Sequence, residues 1–123
     1  MIESILNSVK KRLGMSPEYD AFDEDIVMSI NSALSTLTQI GVGADSGFRI
    51  TGADEEWATF LGSDPGFDGV KDYVYLKTRM VFDPPTTSYM ITAMEKQIAE
   101  LEFRINAYYD RYPWTQPLPT PIP

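Results

Sequence analysis

Cysteine and histidine are both absent from this chain of 123 residues. Without cysteine there are no disulfides and no thiolate nucleophiles, and without either residue no zinc site built on Cys or His ligands. Without histidine there is no side chain whose ordinary pKa lies near neutrality, the usual general base. Catalysis would fall to a carboxylate, lysine or tyrosine displaced far from its ordinary pKa, so neither an enzyme nor a cofactor is expected. No apolar run approaches the roughly 20 residues that a membrane span needs. The opening MIESILNSVKKRLG places its cations after its apolar residues, the reverse of a secretory leader, so the chain is expected in the cytosol when made, with no membrane partner. Positive charge is scarce too, with 10 Lys and Arg against 18 Asp and Glu and a net charge of −8. The deficit is concentrated: residues 14–68 hold eleven acids and Arg49 alone, whereas residues 1–13 carry +2 and residues 69–123 balance at six against six. Such a chain is not expected to hold a phosphate backbone by counterion release, which needs clustered cations.

Hydrophobic residues make up 43% of the chain and charged residues 23%, proportions that fit one ordinary globular domain. Helical periodicity dominates. Ile2, Ile5, Leu6, Val9 and Leu13 recur on one helical face, Lys10, Lys11 and Arg12 fill the last turn, and Gly14 supplies a stop. The cations suit the helix dipole, with a binding patch as the alternative. A second helix starts near Asp20 to Asp23, with Asp23, Glu24 and Asp25 at its positive end and Ile26, Val27, Ile30, Ala33, Leu34 and Leu37 as its buried stripe; Gly41 and Gly43 end it. Three adjacent carboxylates invite a metal reading, but consecutive helical residues point in different directions, so capping is preferred.

The run GVGADSGFRITGA (41–53) breaks the pattern. Its glycines and Asp45-Ser46 mark turns, and Phe48 to Thr51 favour extended backbone, so a short hairpin or an ordered loop is expected near 44–53. The glycines follow no phosphate-cradling spacing. A short helix from Asp54 to Leu61, with Thr51 as cap and Trp57, Phe60 and Leu61 as its apolar side, comes next. Ser63-Asp64-Pro65 then opens a helix carrying Phe67, Val70, Tyr73, Val74, Lys77 and Val81 on one side, stopped by Asp83-Pro84-Pro85. Thr86, Thr87 and Ser88 cap the last helix. Its apolar positions Ile91, Met94, Ile98, Leu101, Ile105 and Tyr108 alternate by three and four like a coiled-coil seam. From Thr87 to Asp110 it would reach about 36 Å, the spine of its own bundle or a surface for a neighbour. Beyond Asp110 little core is expected: RYPWTQPLPTPIP can form neither helix nor central strand and reads as an extended arm. Such an end is either a solvated terminus or a docking ligand; Tyr112, Trp114, Leu118 and Ile122 favour the ligand. The resulting expectation is an all-α bundle of four to five helices over 1–111, with the arm at 112–123.

Several spaced features resemble the head–tail connector (adaptor) proteins of tailed bacteriophages. They are the helix ending Lys10-Lys11-Arg12-Leu13-Gly14, the run Asp23 to Ser32, Gln39-Ile40-Gly41-Val42-Gly43, Trp57 in its acidic surroundings, and Val70 to Lys77. The most telling is Phe82-Asp83-Pro84-Pro85-Thr86 before a helix with Glu100-Leu101-Glu102-Phe103-Arg104. The match covers about residues 1–106, in order and spacing. What the resemblance implies is a structural subunit of the virion neck, assembled with copies of itself into a typically dodecameric ring below the portal protein. There it continues the channel for double-stranded DNA, which it passes without specific binding, and receives a stopper or tail-completion protein; no cofactor is implied. On that view Asp45, Phe48, Arg49, Asp54 and Glu55 form a channel-facing or subunit-contacting loop, and Tyr109, Tyr112, Pro113, Trp114 and Leu118 bind a partner. Three rivals share parts of this pattern. A helical regulatory or scaffold module has the same composition. A helix-turn-helix DNA-binding protein would use Lys71, Lys77 and Arg79, but the second and third long helices are separated by far more than a three- or four-residue turn. A carboxylate hydrolase would pair members of Asp54, Glu55, Glu56 and Asp64.

Overall fold

Ser4 opens the first helix: its hydroxyl accepts the Asn7 amide at 3.2 Å, capping α1 (Ile5–Arg12). The structure, a computed structural model, describes residues 3–62 and 67–115. Among these it contains five helices and no strand, with α1 followed by α2 (Asp23–Gln39), α3 (Trp57–Leu61), α4 (Phe67–Phe82) and α5 (Ser88–Arg111). The all-α expectation is met. The segment near 44–53 is an ordered loop and not a hairpin, and the one β-bridge among the described residues joins Ser4 to Glu56.

Both glycine stops work by the same geometry. At the end of α2, Gly41 takes φ +98°, its amide reaches the Thr38 carbonyl at 3.2 Å, and the Val42 amide reaches the Leu37 carbonyl at 2.9 Å. Gly14 and Met15 repeat these two bonds onto Lys11 and Lys10. Two orphan carbonyls are thus satisfied at each end, and Val42 is turned into the core.

α4 lies at the centre. It packs against both α2 and α5. The contact of Phe22 with Phe82 (ring centroids 5.4 Å apart) shows that α2 and α4 run antiparallel, since it joins the start of one to the end of the other. Ile26, Ile30, Leu34 and Leu37 of α2 meet Val70, Tyr73 and Val74 of α4, all buried. On α5, Met94, Ile98 and Ile105 are buried and Ile91, Leu101 and Tyr108 half-buried, so the three-and-four seam is used within the molecule. Thr87, not Thr86, caps this helix, accepting the Met90 amide at 3.3 Å.

Three sequence expectations need revision here. The short third helix begins at Trp57 rather than Asp54, because the Trp57 amide is spent on the Glu3 carbonyl and the Glu55 carbonyl receives the Ile5 amide, holding 54–56 extended beside α1. Val81 stands 73% exposed instead of buried, at the open groove between α4 and α5. The basic cluster 10–12 is dispersed. Lys10 is fully buried, its Nζ 2.7 Å from Asp23 Oδ1 and 3.1 Å from the Pro17 carbonyl, tying α1 to the start of α2. Arg12 lies over the Tyr75 ring at 4.0 Å and pairs with Asp72, which leaves Lys11 to solvent. The start of α4 proposed at Ser63-Asp64-Pro65 lies outside the described residues.

Candidate functional site

The loop after α2 is built onto that helix by one side chain. Asn31 donates from Nδ2 to the Ile50 carbonyl at 2.9 Å, and its Oδ1 accepts the Ile50 amide at 2.8 Å. The carboxamide thus stands in for a paired strand, and Ile50 is buried. Phe48 stacks on Phe60 with centroids 4.9 Å apart. Gly43 is required beside them, since at φ +84° a Cβ would lie 2.6 Å from the Phe60 ring. With Phe48 and Ile50 turned inward, Arg49 points out and is exposed. Between this loop and the solvent-side face of α2 runs an open groove of about 790 Å³, extending along the helix from Glu24 to Gln39. Met28, Asn31, Ser32 and Ser35 form its floor and Arg49 its rim.

Asp54 is exposed, and Glu55 turns back toward Thr51, accepting its amide at 3.0 Å and its hydroxyl at 2.9 Å. Burial works to raise the Glu55 pKa, but these bonds and backbone amides at Glu55, Thr51 and Gly52 outweigh it and hold the carboxyl below its ordinary value of 4.5. Glu55 is therefore engaged in a turn and does not face Asp54 as a catalytic partner would. Glu56 extends the backbone bridge to Ser4, and Asp64 lies outside the described residues. Among the described residues no group of three or more carboxylates could hold a metal ion.

The proposed arm residues separate. Tyr109 is buried, only 4% exposed, against the end of α2, and a Cβ on Gly41 would come within 3.9 Å of its Cβ. It is available to a partner only if the arm's root moves. Tyr112 is 53% exposed, and Pro113 is exposed. Trp114 is half-buried against the core and shares a cleft with Gly43, Asp45, Tyr109 and Pro113. Asp45 of the loop set thus meets the root of the arm. Beyond Asp110 the described residues add only half-buried Trp114 to the margin of the core, whose last buried member is Tyr109. Leu118 lies outside the described residues.

The reading of the residues alone passed over two further features. Asn31, a poor helix former in the middle of α2, is the clamp of the loop; its low propensity was the available signal. The outward face of α5 carries Tyr89 and Phe103, which are 83% and 75% exposed, both off the buried seam.

The described residues thus define a small helical protein whose open features include a groove along α2 and an aromatic face on α5. Residues 5–112 match the family model described as phage connector protein, and the chain belongs to that family of structural proteins. No curated protein and no solved structure matches it. No helix among the described residues is long and apolar enough to cross a membrane.

Proposed function

We propose that the chain is the head–tail adaptor subunit of a tailed phage. Copies form a ring beneath the portal protein in the virion neck, continue the channel through which double-stranded DNA passes, and receive the stopper or tail-completion protein on the far side. The observation that carries this is the connector-family match over 5–112, which takes in every helix described. The molecule's physical character supports it. Glu18, Asp20, Glu24 and Asp25 are exposed around the start of α2 while Lys10 is buried there, so the acidic stretch is left negative toward its surroundings. A wall of that sign does not trap a moving phosphate backbone. Tyr112 and Pro113, exposed beside the anchored Trp114, provide the start of an extended ligand for the portal.

Imaging the neck of purified particles tests the proposal. The expected density is a ring of five-helix subunits directly below the portal. Particles that lack this protein and still carry attached tails would overturn it.

A further inference from the structure

We propose that neighbouring subunits meet by seating the outward face of α5 of one copy in the α2–loop groove of the next. This rests on the ring reading above and names the surfaces that would make the ring. The outward face of α5 runs through Tyr89, Ala93, Lys96, Glu100, Phe103 and Ala107, spaced by four and three residues and all exposed. Aromatic knobs stand toward its two ends, the small side chains of Ala93 and Ala107 let another backbone approach, and Ala99 lies on the flank toward α4. Tyr89 and Phe103 are fourteen residues apart on one helix, about 21 Å. The groove follows α2 from Glu24 to Gln39, fifteen residues or about 22 Å. The lengths agree.

Charge agrees as well. Arg49 is the sole cation in the acidic stretch 14–68, stands on the groove's rim, and has no ion-pair partner among the described residues. Glu100, at the middle of the α5 face, has only the exposed contact with Arg104 on its own helix, 2.7 Å long with both side chains more than half exposed. An exposed pair of that kind is weak and readily exchanged for a better-shielded one. Groove and ridge belong to different elements, α2 with its loop and α5. In a ring each copy offers its ridge to one neighbour and its groove to the other. The contact is heterologous and propagates until a circle closes.

The absence of native cysteine makes a clean test available. The double variant S32C/A99C, carried into particles and treated with a short bismaleimide, is expected to give a ladder of covalent multimers, whereas S32C and A99C alone give none. In parallel, R49E is expected to reduce incorporation into the neck roughly tenfold, and E100R in the same chain to restore it. Wild-type multimers present in the neck, with no S32C/A99C ladder and normal incorporation of R49E, would overturn this interface and leave the ring intact. Cross-linking by S32C alone would show a two-fold contact and overturn it too. Wild-type protein found in the neck only as single copies would overturn the ring reading, and the interface with it.

Discussion

Asn31 spends both ends of its carboxamide on one residue of the loop, at 2.9 and 2.8 Å. Replacing it by alanine leaves the amide and carbonyl of buried Ile50 unpaired, so Asn31→Ala is expected to cost about 2–3 kcal/mol in denaturant titration. Faster amide exchange should be confined to 46–51. Gly43 separates two causes of strain when compared with Gly47. Both have positive φ, +84° and +89°, but a Cβ at Gly47 would only touch Thr38 at 3.9 Å, whereas at Gly43 it would overlap Phe60. Gly43→Ala should therefore destabilise more than Gly47→Ala, by roughly 1–3 kcal/mol; equal losses would mean that φ alone matters. Glu55 has a definite pH sign. Its folded pKa is lowered, so its contribution is present above the ordinary value of 4.5 and is lost as pH falls through the lower folded one. Thr51→Ala, which removes one of the hydrogen bonds responsible, should flatten the acid limb of a melting curve series. Tyr73 has the opposite sense. Burial first, then its 2.6 Å bond to Glu102 and the charge there, raise its pKa, so its contribution is complete below about pH 10 and is lost as pH rises further.

The elements differ in how much of them the residues disclose. α1, α2 and α5 are legible because each carries an apolar stripe at helical spacing with a local stop or cap beside it, and Gly14, Gly41 and Thr87 do in the structure what their chemistry suggests. The start of α3 is not, since the bonds that hold 54–56 extended come from residues 3–5, some fifty positions away, and local propensity cannot register them. The same holds for the loop: Phe48 and Ile50 turn inward and Arg49 outward, but the partner of Ile50 is a side chain of α2, not a second strand. Val81 fits the α4 spacing yet faces a groove, because periodicity says which residues share a face and not whether another element covers it. α5 gives a quantitative check on this distinction. Ile98 is 8% exposed and Leu101 only half-buried, so Ile98→Ala should cost about 2–4 kcal/mol and Leu101→Ala less, about 1–2 kcal/mol. The arm makes a further one. Ending the chain after Thr115 keeps Trp114 on the core, whereas ending it after Asp110 strips the Trp114 packing beside Tyr109. Only the shorter chain should lose melting temperature, while both should lose portal binding if the residues beyond Trp114 form the ligand.

At the scale of the whole molecule, a net charge of −8 is a self-repulsion that folding alone does not need. Lys10 and Asp23 neutralise one another where α1 meets α2, and Lys71 with Glu3 and Arg12 with Asp72 do the same along the α1–α4 side. Most of the remaining excess belongs to residues 14–68, where Arg49 is the one cation. If Arg49 is taken up by the neighbouring subunit, assembly removes the only attractive point in that stretch and leaves an assembled surface more uniformly negative than the free subunit. Duplex DNA should therefore show no retardation by the purified chain at about 0.15 M salt, where nonspecific binders still hold on through several phosphate contacts. The ring should bind still less than the subunit. Titrating labelled duplex against both forms at falling ionic strength checks the order: repulsion must deepen as screening weakens. Retention that grows at low salt would mean that cations gather on assembly, and the channel would then have to lie against the balanced surfaces of α4 and α5 instead.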